Sequence, residues 1–354
     1  DVERSRGLGD VYKRQLINLK KMKKIYYLLL AMTVLIVCAS CNNEWESEQY
    51  VQMVSFKAPV NAQGVTPIYI RYKPEGKVTY QLPLIVSGST MNSKDLNVHV
   101  GLDLDTLDVL NVEHFGSRKE LFFKPLENKY YEFPETVQIP AGECTSLLPI
   151  DFALKDLDQV DKWVLPLAIQ SNDPSHNYQA NPRKFYRRAM LRISPFNDYS
   201  GQYSATAYKV YFKGNEKEAI VPEYHTSYVI DDKTIFFYAG LIDIDRLDRK
   251  YYKIKFEFTE EKIDLQTRKL KISSDNEDIN LVVKGQPSYT VEEEMDATRP
   301  YLKHIYVTIN NLEYEFTDYT SVPGYPLEYV VKGSLTMERK INTQIPDEDQ
   351  AIEW

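Results

Sequence analysis

The sequence predicts an all-β protein, and three observations support this fold class. Tyr is abundant, with 27 copies in 354 residues, while Gly has only 14. Most apolar residues occur in short runs rich in Val, Ile, Phe and Thr, which favour strands. Pro, Gly, Asn and Asp separate these runs and indicate turns. The length allows two domains, and the net charge of -8 argues against nucleic acid as a partner.

Residues 50–195 are predicted to form an immunoglobulin-like β-sandwich. Turn sequences such as Pro140-Ala141-Gly142 separate the strand-like runs. Seven or eight short strands in about 150 residues are typical of this architecture. We also expect a helix over residues 103–115. The predicted strands are residues 50–56, 68–72, 78–86, 96–100, 136–139, 146–154, 163–169 and 189–193.

Three of these runs contain a proline, at Pro83, Pro149 and Pro166. Proline has no N–H to donate to a neighbouring strand. We therefore expect these three strands at sheet edges or at bulges.

Residues 196–354 are predicted to form a second β-domain, an antiparallel meander that closes into a calycin-like barrel. Two-residue turns at Asp231-Asp232 and Asn310-Asn311 indicate hairpins. Many meandering strands tend to close because closure removes exposed edges. A second sandwich is the alternative. The predicted strands are residues 202–212, 219–230, 233–240, 250–259, 267–273, 279–285, 301–310, 312–318 and 327–338.

The first forty residues precede any fold-forming pattern. We interpret residues 1–21 as a non-native leader and Met22 as the true start. Residues 22–40 have the order of a signal peptide, with two lysines followed by an apolar run over 25–37 that is short for a membrane span. The small residues before Cys41 resemble the bacterial lipoprotein box, which implies lipidation at Cys41. An uncleaved membrane helix is the alternative.

Residues 41–49 are predicted to be a tether. Its carboxylates Glu44, Glu46 and Glu48 resemble the acidic export signal of Bacteroidota lipoproteins. This resemblance implies an outer-membrane protein that is held by its lipid and faces the cell exterior. An ordinary solvated tether is the alternative.

The three cysteines do not predict a disulfide. Cys38 would leave with the signal peptide and Cys41 would carry the lipid, so Cys144 has no partner. We expect Cys144 to be a buried structural thiol.

Two segments carry a resemblance to known families. "TVQIPAGECTSLLPIDFALKDLDQVDKWVLPLAIQS" resembles the end of domain of unknown function 1735. "SPFNDYSGQYSAT" and "MERKINTQIPDEDQAIEW" resemble the start and end of domain of unknown function 4973. The resemblance implies residues 50–195 for the first domain, residues 196–354 for the second, and a surface lipoprotein encoded among genes for polysaccharide capture and breakdown. It implies no catalytic residues.

Carboxylates occur in two clusters that could carry chemistry. The run "LIDIDRLD" holds Asp243, Asp245 and Asp248, but it lacks the glutamic acid expected of a family 18 glycoside hydrolase strand. A solvated loop is the ordinary interpretation. The run "LDLDTLD" from residue 102 could ligate calcium or could place an Asp cap on a helix.

Histidines give no metal or catalytic pattern. The five lie far apart in sequence, at positions 99, 114, 176, 225 and 304. We therefore predict no metal, no cofactor and no catalytic centre.

Aromatic residues are the remaining functional signal, because sugar rings stack on Tyr and Trp. Tyr319 and Tyr325 lie in a Pro/Gly-rich loop, and Trp354 follows an acidic segment. We predict these three as ligand-binding residues. The alternative is that the rings only cover a barrel mouth or pack between domains.

The function hypothesis is a non-catalytic cell-surface lipoprotein. It would bind a polysaccharide or oligosaccharide, or act as an accessory component of a polysaccharide utilisation system beside other components of a glycan uptake complex. The alternatives are a relative of glycoside hydrolases and a structural or adhesive surface protein.

Overall fold

The computed structural model describes residues 23–28, 30, 32, 47–170, 174–346 and 350. Two compact units are present: a small one of the residues before Gln52 with Gly88–Met91, and a large one of Gln52–Ser87 with the residues from Asn92 onward. Within the described part of the chain, no helix is long and apolar enough to cross a membrane. The predicted lipidation residue Cys41, as well as Cys38, Glu44 and Glu46, lie outside the described residues.

The small unit contains the end of the predicted tether. The Glu48 carboxylate accepts hydrogen bonds from the backbone N–H groups of Ser89 at 2.8 Å and Thr90 at 3.0 Å, and from both hydroxyls at 2.9 Å. These bonds, led by that from the Ser89 backbone, hold the pKa of Glu48 well below its usual range. Glu48 is therefore bound to the loop around residue 89.

The large unit begins with two sheets that form the predicted sandwich. One sheet has the order β1-β3-β8-β6, and the other has the order β2-β10-β9-β4-β7 with β5 beside β9. All eight predicted strands are present. The bounds are β1 Met53–Phe56, β2 Thr66–Arg71, β3 Val78–Ser87, β4 Leu96–Leu102, β5 Phe123–Pro125, β6 Tyr131–Glu132, β7 Thr136–Ile139, β8 Thr145–Phe152, β9 Lys162–Ile169 and β10 Arg188–Phe196.

The sandwich core follows from alternation along these strands. Leu82 of β3 lies opposite Leu148 of β8, with Leu84 and Ile150 next along the same face, and all four are fully buried. Val98 of β4 belongs to the same core cluster. Since successive side chains point to opposite faces of a sheet, the residues between them face outward.

The edge prediction for the proline-containing strands is wrong. β3, β8 and β9 each have a neighbouring strand on both sides. Lys57 donates its N–H to Pro83 O just beyond the end of β1, and Asp103 donates to Pro166 O just beyond the end of β4. β6 pairs only with Asp151–Phe152 of β8, so Pro149 lies past its end. Each proline therefore lies just past the end of one neighbouring strand, where its missing N–H breaks no ladder hydrogen bond.

The predicted helix is α1, Leu104–Phe115; a second short helix, α2, is Lys184–Arg187. Asp103 caps α1 by accepting from Thr106 N at 3.1 Å and Thr106 Oγ1 at 2.9 Å. Leu107 and Leu110 pack in a small separate apolar cluster. This outcome favours the helix-cap interpretation of the first carboxylate run.

The remaining strands form a closed antiparallel barrel, as predicted. Eight strands close the circle in the order β11-β14-β15-β16-β17-β19-β20-β21, and β20 pairs with β21. The β12–β13 hairpin extends from β21, and β18 pairs with β20. The bounds are β11 Gly201–Ser204, β12 Lys209–Phe212, β13 Asn215–Ile220, β14 Tyr224–Val229, β15 Thr234–Tyr238, β16 Lys253–Lys262, β17 Arg268–Ser273, β18 Val282–Val283, β19 Ser288–Met295, β20 Leu302–Asp318 and β21 Leu327–Asn342.

Aromatic side chains from several strands fill the barrel. The Phe237 ring lies 5.3 Å from that of Tyr203 and 4.9 Å from that of Phe256, measured between centroids. The hydroxyls of Tyr208 and Tyr314 are 2.5 Å apart. These five side chains are fully buried, so the barrel wall closes around a packed aromatic core.

Several strand predictions in the barrel are wrong. The predicted strand 219–230 covers the end of β13, the break at 221–223 and β14, and β19 was not predicted. The predicted strand 202–212 divides into β11 and β12, and the predicted hairpin at Asn310-Asn311 is instead a bulge inside the continuous strand β20. Asn311 has a φ of 55° there. Opposite the bulge, Gly333 has a φ of 134°, and a Cβ on it would lie 1.9 Å from Ala207 O. The bulge lets a 17-residue strand bend with the barrel wall.

The sandwich and the barrel are joined by a short connection that is anchored at two buried residues. Asn197 and Ser200 are buried between β10 and β11, and Arg339 donates to the carbonyl oxygens of both. Arg249, only 2% exposed, donates to Val160 O at 2.9 Å and Glu120 O at 3.0 Å. The β15–β16 connection is thereby bound directly to two loops of the sandwich.

Candidate functional site

The predicted aromatic loop connects β20 to β21. Tyr319 packs against the barrel core, with its ring centroid 5.7 Å from that of Tyr252, and its hydroxyl accepts from Asn276 Nδ2 at 3.0 Å. Tyr325 is 69% exposed. The structure therefore places Tyr319 in the barrel end and leaves Tyr325 as the accessible ring of the pair. Trp354 lies outside the described residues.

The acidic loop 243–248 is bound to this aromatic loop. Arg246 donates to Asp248 at 2.5 Å and, through both terminal nitrogens, to Asp318 at 2.9 and 3.1 Å. Asp318 also accepts from Tyr252 Oη at 2.8 Å and Ser321 Oγ at 2.6 Å. Burial acts to raise the pKa of Asp318, but the bonds from Arg246 and Ser321 outweigh it and hold that pKa well below its usual range.

Asp245, the middle carboxylate of the same loop, pairs with Lys162 of β9 at 2.8 Å. The Lys162 side chain is buried, and desolvation lowers its pKa although Asp245 acts in the opposite direction. Asp243 and Asp245 are exposed, as the solvated-loop interpretation predicts, whereas Asp248 is partly buried. Asp245 and Asp248 are both used in ion pairs that position loops.

A cleft on the sandwich brings rings and polar groups together. Its volume is about 410 Å³, and its walls come from β4, β6 and the segments that flank β6 and β9. Clefts of this size, lined by rings with a few polar groups, are typical ligand sites. Besides Val100, Gly101 and Leu102 of β4, the residues that line it are His99, Asn128, Tyr131, Glu132, Phe133, Glu135 and Gln170.

Two near-parallel ring stacks border the cleft. Tyr131 and Phe133 stack with centroids 5.8 Å apart and planes 15° apart. His99 stacks on His176 at 4.6 Å, and His176 stacks on Tyr178 at 5.0 Å. The structure thus brings together two histidines that are far apart in sequence.

Hydrogen bonds fix these rings in place. Tyr178 Oη donates to Gln170 O at 2.6 Å and accepts from His99 N at 3.1 Å, so it bridges the ends of β4 and β9. Tyr131 Oη donates to Asn128 Oδ1 at 2.7 Å. A Cβ at Gly101 would lie 2.6 Å from Gln170 Nε2, so glycine is needed for that amide to lie across the strand.

The carboxylates of the cleft differ in their pairing. Glu132 forms an ion pair with Lys77 at 2.5 Å. Glu135 is exposed and has no ion-pair partner within the part of the chain that the structure describes. The cleft can therefore offer one unpaired carboxylate, the amides of Asn128 and Gln170, and two ring stacks to a ligand rich in hydroxyl groups.

Solved structures of Bacteroides proteins resemble the whole described fold. A protein of unknown function from Bacteroides ovatus is 42% identical and has a TM-score of 0.76, over 84% of this chain and 96% of its own. A multidomain B. ovatus protein that includes DUF1735 is 48% identical, with a TM-score of 0.73, over 86% of this chain and 100% of its own. The chain belongs to the family that these Bacteroides proteins represent.

Another relative in this family is described as an auxiliary nutrient binding protein from Bacteroides thetaiotaomicron. It is 40% identical, with a TM-score of 0.73, over 84% of this chain and 100% of its own. A search of curated proteins found no match.

Family models divide the chain differently from the sequence prediction. The model of the domain of unknown function DUF4973 matches residues 45–174, and a second model, described only as a "-like, C-terminal" domain, matches residues 187–336. Placing DUF4973 at residues 196–354 was therefore wrong, since most of the region 50–195 assigned to domain of unknown function 1735 carries the DUF4973 match instead. Of the two motifs used for that placement, residues 194–206 lie inside the second match and residues 337–354 lie beyond its end.

Sequence reasoning did not find the sandwich cleft of this family member. The segment "YYEF" at 130–133 and the segment "HNY" at 176–178 are the local signals, since each concentrates rings beside a turn. Nothing in the sequence indicates that His176 meets His99, because the contact depends on how residues 174–180 return to β4.

Proposed function

We propose that this protein is a non-catalytic nutrient-binding protein of the cell surface and that its ligand is an oligosaccharide held in the sandwich cleft. The relative described as an auxiliary nutrient binding protein supports the general role, since it matches this chain along most of its length. The glycan assignment depends on the chemistry of the cleft.

The cleft between the two ring stacks carries this proposal. A sugar ring has an apolar face that stacks on aromatic side chains, while its hydroxyls bond to carboxylates and amides. Tyr131 and His99 supply rings on the two sides, and Glu135 and Gln170 supply polar groups. Because the Tyr131 hydroxyl bonds to Asn128 and His99 Nδ1 bonds to the Thr136 hydroxyl at 3.0 Å, both rings are already fixed, and little ordering is needed when a ligand binds.

Binding by the purified full-length chain tests the proposal. The probes are cello-, xylo-, manno- and malto-hexaose together with hexagalacturonate, measured by calorimetry. We expect binding of at least one probe and about tenfold weaker binding by the Glu135→Ala, Gln170→Ala double variant. Both residues are exposed, so the melting temperature should not change.

Tyr325→Ala is the matched control, because this exposed ring marks the site that the sequence predicts. Unchanged affinity in this variant supports the sandwich cleft. A loss of affinity in Tyr325→Ala, with none in the double variant, would place the site at the barrel end. Failure to bind any glycan would favour a structural or adhesive protein, and release of shorter sugars would favour a hydrolase.

We also propose that the chain is anchored in the outer membrane by a lipid on Cys41, where it works beside other components of a glycan uptake complex. The order of residues 22–41 supports this proposal. Metabolic labelling with a fatty acid should mark the wild-type chain and the Cys144→Ala control but not Cys41→Ala. Continued labelling of Cys41→Ala would contradict it.

A further inference from the structure

A second cavity, of about 350 Å³, lies beside the first. Val54, Val86 and Leu96 provide an apolar wall, and Lys94, Asn177 and Gln179 provide polar groups. It occupies the opening between β1 of one sheet and β4 of the other, where residues 176–179 pass over the sandwich edge.

One ring stack separates the two cavities. His99 lines the first cavity, whereas His176 and Tyr178 line the second. The His99 and Tyr178 centroids are only 6.4 Å apart. Because His99 stacks directly on His176, the two cavities share one ring stack, and a ligand that would fill both is an oligosaccharide of several rings.

The cavities differ in charge. The first is lined by the carboxylates Glu132 and Glu135 and by no Lys or Arg, whereas the second is lined by Lys94 and by no Asp or Glu. Lys94 is exposed and forms no ion pair with any residue that the structure describes. A cation without a carboxylate beside it favours an anionic group on the ligand.

We propose that the second cavity is a subsite for an anionic sugar residue, bearing a carboxylate or a sulfate, in the same chain that fills the first cavity. This inference rests on the proposed function. It narrows the ligand class to an acidic oligosaccharide whose negatively charged group binds Lys94.

Paired probes that share one sugar backbone and differ in charge test the inference. Hexagalacturonate is compared with its methyl ester, and a chondroitin sulfate hexasaccharide with its unsulfated form, on the purified full-length chain. We expect tighter binding of the more acidic member in at least one pair, and the pair that shows it identifies carboxylate or sulfate. Lys94→Gln should weaken that binding about fivefold and remove the preference.

Lys217→Gln is the control, since it removes the same charge from the exposed strand β13. It should leave both affinities unchanged. Equal binding of the two members in both pairs, or an unchanged preference in Lys94→Gln, overturns the anionic subsite. If a neutral glycan still binds and the Glu135→Ala, Gln170→Ala variant still weakens it, the proposed function stands without the subsite, whereas no binding of any glycan rejects both.

Discussion

Asp318 ends β20 with its side chain only 4% exposed, and it accepts bonds from Arg246, Tyr252 and Ser321. Its pKa and that of Asp248 are both lowered in the folded protein, in each case because hydrogen bonds led by Arg246 outweigh an opposing effect of burial. A carboxylate whose pKa is lower in the folded than in the unfolded state stabilises the native state at pH values above its unfolded-state pKa, which is about 4 for Asp. This stabilisation is lost as the pH falls below that value toward the folded pKa.

We therefore predict that Asp318→Asn lowers the free energy of unfolding by about 2 kcal/mol at pH 7, because Arg246 loses a charged partner in a largely buried position. The difference from the wild type should shrink as the pH is lowered below 4. Urea unfolding at pH 7 and pH 3 measures both effects. Asp232→Asn, at an exposed turn, is the control, and an Asp318→Asn variant as stable as this control at pH 7 would contradict the argument.

The exposure and the spatial neighbours of single aromatic residues could not be predicted from the sequence. Tyr319 and Tyr325 are noticeable in the sequence because they flank Pro323-Gly324, yet only Tyr325 is exposed. His99 and Tyr178 are 79 positions apart and meet through a hydrogen bond and a shared ring stack. Local patterns identify aromatic residues but not the pairs that folding brings together.

At the level of elements, the sandwich strands could be predicted because each has a buried face and a local turn. β7, for example, alternates exposed and buried residues over Thr136–Ile139 and is followed by the turn at Pro140. The cap of α1 was also visible, since Asp103 precedes a helical run.

The barrel elements that prediction missed lack such local signals. β19 has three consecutive glutamates, and its last six residues are exposed or only partly buried, so little apolar alternation marks it as a strand. Its pairing with β20 over eight residues defines it instead. Because a hairpin and a bulge can both use an Asn with positive φ, Asn310-Asn311 alone does not distinguish them. The structure shows a bulge, because β20 pairs with the same strand, β21, both before and after Asn311.

At the level of the whole molecule, the sandwich covers part of the barrel wall. Ile235 and Phe237 alternate with Phe236 and Tyr238 along β15, yet all four are buried. Since alternate residues face opposite sides of a strand, both faces of β15 are covered. Val160 of the sandwich belongs to the same apolar cluster.

The sandwich covering has a consequence for folding. The sequence suggests two independently folded domains with a protease-sensitive junction near Pro195. The buried residues Asn197 and Ser200 of the connection and the covered face of β15 instead favour one cooperative unit. An isolated barrel would expose the rings of Phe236 and Tyr238, which makes it prone to aggregation.

We predict a single unfolding transition for the wild-type chain, with equal calorimetric and van't Hoff enthalpies, and no early proteolysis at residues 197–200. Arg249→Ala should lower the free energy of unfolding by about 3 kcal/mol or divide the transition in two, because Val160 O and Glu120 O lose a buried charged donor that joins the sandwich to the barrel. Lys250→Ala, an exposed neighbour, should change neither property. Two wild-type transitions that Arg249→Ala leaves unchanged would contradict this prediction. They would show that the sandwich and the barrel unfold independently and that the bonds from Arg249 do not couple them.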